Sequence, residues 1–155
     1  PVPGFMGWLS KTLAEGDPKL LTDSERRALS ASVGKKSGAK GTLKSLLGYP
    51  GWHRNPTASE ALRAPLMRLC ARFLVKEKGL NKRVLDPVAH FHLTNGARLE
   101  RINFLADTSS KGLEESASMM VNYLYKLSDI EKNHEAYSED GTVRKSNQVR
   151  SLLKS

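Results

Sequence analysis

A chain of 155 residues, 39% hydrophobic and 26% charged, has apolar material for one modest core and is too short for two full domains. The formal charge of +9 turns attention to anionic partners, while the single cysteine, Cys70, excludes an internal disulfide and a multi-thiolate zinc site. Apolar runs such as Phe73 to Val75 are only a few residues long and no signal-peptide pattern is present, so the chain reads as soluble and intracellular.

Phe5 to Glu15 follows a Pro-Gly pair and stops at Gly16, with Phe5, Trp8, Leu9 and Leu13 on one side, which predicts a core-facing helix. Thr22 and Glu25 have capping-box spacing ahead of a short helix ending near Gly34. Lys35, Lys36, Lys40 and Lys44 then surround Gly34, Gly38 and Gly41. This basic loop is read first as a solvated surface and second as a phosphate cradle; it has neither a Walker-type nor a Rossmann glycine pattern.

A short helix is expected around Leu43 to Leu47, then turns from Gly48 to Pro56. Thr57 and Glu60 form a second box, opening a helix in which Leu62, Leu66, Leu69, Cys70, Phe73 and Leu74 share one face. Pro65 would kink that helix or begin its second part. Cys70 on this apolar face reads as packing rather than as a nucleophile. Arg68, Arg72 and Lys76 form a basic row read as a solvated face.

Asp86 to Asp107, DPVAHFHLTNGARLERINFLAD, alternates on both sides of Asn95-Gly96, a pair suited to a type I′ turn. A β-hairpin is expected, with His90 and His92 on one face of its first strand. A histidine held on such a strand can exchange protons with a ligand; the competing account is a surface or hydrogen-bonded residue. The two histidines find no third ligand at a spacing that completes a metal set. Beyond the hairpin, Leu113, Ala117, Met120, Val121, Leu124 and Leu127 favour a helix, although Tyr123 and Tyr125 also permit a strand. Ser128 to Gly141 is polar, and a last helix is expected from Thr142 to Leu153.

The wording of several segments resembles the malonyl-CoA decarboxylase family. Its catalytic region is similar to NPVA-x-FHL-x-NGA-x-L-x-RINW-x-AD, against DPVAHFHLTNGARLERINFLAD here. PVPGF at Pro1 to Phe5, LLTDSE at Leu20 to Glu25, APLMRLCARFL at Ala64 to Leu74 and MVNYLY at Met120 to Tyr125 match further family elements in the same order. The resemblance implies the C-terminal part of a catalytic domain over residues 1–155, mainly helical in 1–83, a β-hairpin in 84–107 and mainly helical in 108–155. The implied class is α+β, the later elements of an acetyltransferase (GNAT)-like fold, incomplete in this chain.

By the same resemblance His92 is the proton-transferring, substrate-contacting histidine, and Tyr125 lies near the substrate. The family's serine stands just upstream of the P-x-P-G-F element, so a chain beginning at Pro1 lacks it and is expected to be inactive alone. The implied activity is conversion of malonyl-CoA to acetyl-CoA and carbon dioxide, with no metal or organic cofactor, in a homo-oligomer of the bacterial cytoplasm or mitochondrial matrix. No nucleic-acid or membrane partner is expected. Two alternatives remain on sequence grounds: another acyl-CoA transferase of the same fold, and a basic nucleic-acid-binding module. The charge is uneven in a way both CoA phosphates and nucleic acid would suit, with sixteen Lys and Arg against six Asp and Glu up to Arg83, and nine against ten thereafter.

Overall fold

The computed structural model describes residues 1–17, 19–33 and 42–154. In chain order these form α1 (Phe5–Glu15), α2 (Asp23–Val33), α3 (Thr42–Gly48), α4 (Pro56–Val75), α5 (Pro87–Thr94), β1 (Arg98–Asn103), α6 (Ser110–Ser116), β2 (Met120–Leu124), α7 (Ile130–Asp140) and α8 (Asn147–Lys154). The α+β class expected from the sequence is the class observed: helices with a two-stranded antiparallel sheet. Lys35, Lys36 and Lys40 of the basic loop lie outside the described residues, and Lys44 is exposed on α3.

Where length suggested one core, the chain divides into two compact units, Gly7–Leu66 and Pro1–Met6 with Met67–Ser155. Buried side chains of the first include Leu9, Leu20, Leu29, Leu43, Trp52, Leu62 and Leu66. The capping box of α2 is realised, with Glu25 N–H donating to Thr22 Oγ1 at 3.1 Å and Thr22 N–H donating to Glu25 Oε1 at 2.9 Å. The start of α4 is capped differently from the expected Thr57 box. Asn55 Oδ1 accepts from the N–H groups of Thr57 and Ala58, both at 3.1 Å, and Pro56 occupies the first turn, where its missing N–H costs nothing.

The second unit carries the segment that the sequence marked as chemically informative. Its core includes Val2, Phe5, Leu69, Cys70, Phe73, Leu74, Ala89, Leu93, Leu99, Ile102 and Met119. Cys70 is fully buried, and burial pushes its thiol well above the ordinary range, which suits packing and not nucleophilic chemistry. Val2 N–H donates to Ser116 Oγ at 3.1 Å and Gly4 N–H to Asp86 Oδ1 at 3.2 Å, so the first residues are held by partners distant in sequence.

The expected hairpin in 84–107 is corrected. Only its second half is a strand; its first half is α5, and the partner of β1 is β2, in a region expected to be helical. Asp86 caps α5 by accepting from Ala89 N–H at 2.9 Å, and Pro87 supplies a preset φ in the first turn. At the other end Ala97 N–H reaches His92 O and Gly96 N–H reaches Leu93 O, both at 3.1 Å, the two bonds of a Schellman cap. Gly96 has φ 90°, and a methyl there would collide with the Ile130 carbonyl oxygen. The Asn-Gly pair therefore ends a helix instead of turning a hairpin.

β2 is the second correction. Ala117 and Ser118 both have positive φ and stop α6, so the chain cannot continue helically into Met120. Met120 to Leu124 then pairs with β1 through Leu99 with Tyr123, Arg101 with Asn122 and Ile102 with Val121, with an irregularity between Leu99 and Arg101. The polar stretch 128–141 contains α7, whose Asn133 and Tyr137 are buried. α8 begins later than expected, at Asn147.

Candidate active site

His90 and His92 do not share a face, because residues two apart on a helix point about 200° apart. His90 Nδ1 lies 2.7 Å from the Tyr137 hydroxyl, which also accepts from Val84 N–H at 3.0 Å. This histidine is held in a structural network with α7. His92 turns the other way, toward β2.

The imidazole of His92 stacks on the Tyr123 ring, centroids 4.2 Å apart and planes 21° from parallel. Its Nδ1 is 2.6 Å from the Tyr125 hydroxyl, a residue 33 positions away in sequence. A strand accounts for this arrangement where a helix could not. Residues two apart along extended backbone project to the same side, so Tyr123 and Tyr125 both meet His92. Phe91 stands edge-on to the imidazole at 5.2 Å between centroids and is 62% exposed, so the ring lies at an accessible apolar rim.

Burial lowers the pKa of His92 below its ordinary value. That shift favours the neutral imidazole, with one ring nitrogen carrying a proton. When the Tyr125 hydroxyl donates to Nδ1, that proton sits on Nε2. The Tyr123 hydroxyl is buried with no hydrogen-bond partner, and burial, then the charge of Asp86, raise its pKa. It is held as a neutral phenol.

The structure therefore brings together both sequence-identified site residues, His92 and Tyr125. Two contributors were missed. Tyr123 was legible in the N-Y-L-Y alternation had that stretch been taken as a strand. Asp86 was legible as the Asp-Pro start of a helix. The Asp86 carboxylate is fully buried, and its pKa is raised by that burial against the hydrogen bonds from Ala89, Gly4 and Val88. It joins the Pro3-Gly4-Phe5 segment to the helix that carries His92.

Among the described residues no group of three or more His, Cys, Asp or Glu is arranged to hold a metal ion, and no helix is long and apolar enough to cross a membrane.

The described geometry has counterparts in known proteins. The sequence model of the family described as malonyl-CoA decarboxylase C-terminal domain matches residues 1–155. Mitochondrial malonyl-CoA decarboxylase of Anser anser anser is 42% identical over 158 residues, covering 99% of this chain and 31% of the goose protein. That of Mus musculus is 40% identical, covering 99% of this chain and 32% of its own. The crystal structure of malonyl-CoA decarboxylase from Rhodopseudomonas palustris superposes with a TM-score of 0.81 at 42% identity over 97% of this chain and 33% of the other. That from Agrobacterium vitis gives 0.78 at 42% identity over 98% and 34%. The chain spans about a third of the length of these relatives. With the match running over every residue, the chain belongs to the malonyl-CoA decarboxylase C-terminal domain family.

Proposed function

We propose that the chain supplies the histidine side of a site that decarboxylates malonyl-CoA to acetyl-CoA, within a longer protein. Breaking the bond between the carboxylate and the α-carbon releases carbon dioxide and leaves its electron pair on that carbon. The thioester carbonyl takes up the charge as an enolate, so the site has to stabilise an oxyanion and then return a proton to carbon. This chemistry needs no metal or organic electron sink. When Nδ1 accepts from the Tyr125 hydroxyl, neutral His92 carries its proton on Nε2 for that task. Tyr123 beneath the ring restricts its rotation.

The observation that supports this most is the convergence of His92, Tyr123 and Tyr125 from two separate elements. The serine that the family resemblance places upstream of the Pro-x-Pro-Gly-Phe element would complete the machinery. The Asp86 bond to Gly4 favours that arrangement, because it holds the beginning of this segment to the helix bearing His92. The full-length protein is a homo-oligomer in this proposal, acting in the bacterial cytoplasm or the mitochondrial matrix.

The test is His92→Ala in the full-length enzyme. Decarboxylation falls by roughly 10²-fold or more while coenzyme A affinity stays within a fewfold. A rate near that of the unaltered enzyme removes His92 from the mechanism. Product analysis with malonyl-CoA separates decarboxylation from acyl transfer to an acceptor.

A further inference from the structure

On the sheet face opposite His92 lies a groove of about 580 Å³ whose lining is dominated by cations. The opposition follows from the strand register. Tyr123, which stacks on His92, is paired with buried Leu99, whereas Arg98 and Arg101 pair with Leu124 and Asn122 on the other side. The remaining wall comes from the segment leading into α8.

That wall is fixed by backbone and side-chain bonds. Leu99 N–H donates to Arg144 O at 2.8 Å and Ser146 N–H to Leu99 O at 2.9 Å. Gln148 clamps Ile102, accepting from its N–H and donating to its carbonyl, each at 3.1 Å. Four cations, Arg98, Arg101, Lys145 and Arg150, consequently line one concavity with a single carboxylate, Glu100. Glu100 is already committed to Arg98 at 2.7 Å. Arg150 spends its guanidinium on the neutral acceptors Asn147 Oδ1 and Lys145 O, and Lys145 Nζ on Val143 O.

Composition does not require this concentration of charge, because residues 84–155 carry nearly equal numbers of acids and bases. Apart from Glu100 their acids lie outside its lining, with Glu131, Glu135, Glu139 and Asp140 gathered on α7. Burial, followed by the charges of Arg150, Arg144 and Lys76, lowers the pKa of Lys145, a sign of unrelieved positive potential. Guanidinium groups on two walls match oxyanions held between them, and the volume lies in the range of small-molecule sites.

We propose that this groove binds a small molecule bearing a diphosphate, separate from the acyl-CoA substrate, with its oxygens bridging Arg98 and Arg101 of β1 to Lys145 and Arg150. No aromatic side chain lines the groove, so a nucleobase on such a ligand adds little.

Isothermal titration of the chain with inorganic pyrophosphate at low ionic strength tests the site. Binding near or below about 1 mM is expected, weakening as salt is raised. ADP binds within a fewfold of pyrophosphate. Arg101→Gln together with Arg150→Gln weakens binding by about 10-fold or more, whereas Lys132→Gln on α7 does not. Both arginines of the double variant are exposed, and phosphorus resonance broadening in the single Arg101→Gln variant provides a second measurement. Absence of binding, or equal loss in Lys132→Gln, overturns the proposal. So does displacement of pyrophosphate by desulfo-coenzyme A in the full-length protein, which would assign the groove to the substrate's own phosphates; retention of pyrophosphate supports a separate ligand.

Discussion

The side chain to which the proposed chemistry assigns proton transfer is an imidazole whose burial favours its neutral form. Desolvation disfavours protonated His92, so its proton-resolved titration midpoint in the folded chain falls below the ordinary 6.5. The stability associated with that shift is fully present above the unfolded value and is lost as pH falls through the folded one. A midpoint at or above 6.5 contradicts the burial of the ring. Tyr125→Phe removes the partner of Nδ1 without changing the ring contact, and in the full-length enzyme it should lower kcat by about tenfold with KM nearly unchanged. An unaltered kcat would show that the 2.6 Å bond contributes nothing to proton delivery.

At the scale of elements, the caps of α5 decide where His92 points. Asp86→Ala removes the acceptor for Ala89 N–H and for Gly4 N–H, and should destabilise the chain by about 2 kcal/mol in urea titration. Gly96→Ala has no conservative solution, since it meets both a left-handed backbone and the Ile130 carbonyl; a loss exceeding about 1 kcal/mol is expected. Equal stability of the glycine and alanine forms would mean that the Schellman cap is not formed in solution. These same residues explain why the local pattern misled. Asp-Pro followed eight residues later by Asn-Gly satisfies a helix with both caps as well as it satisfies a strand and a turn, and an eight-residue apolar segment is too short for periodicity to choose. MVNYLY posed the converse ambiguity, resolved by two successive positive-φ residues that periodicity does not register.

For the whole molecule, the first residues matter beyond their number. Val2 and Phe5 are fully buried in the unit that otherwise begins at Met67, and Phe5 packs at 6.0 Å between centroids from Phe73. Phe5→Ala should therefore cost about 3 kcal/mol, read as a lower midpoint of chemical denaturation; a loss of a few tenths would mean the segment is not docked. The sequence by itself determined the family words, the apolar face of α4, the capping box of α2, and the identity of His92 and Tyr125 as the residues to watch. Each of these is carried by neighbours along the chain. Only the tertiary structure decided that His92 sits on a helix, that β1 takes β2 as its partner, that two tyrosines of one strand enclose one imidazole, and that cations gather on the opposite face. Those outcomes depend on pairings across tens of residues, where the free energy lies in contacts between segments and leaves no periodic trace within either one.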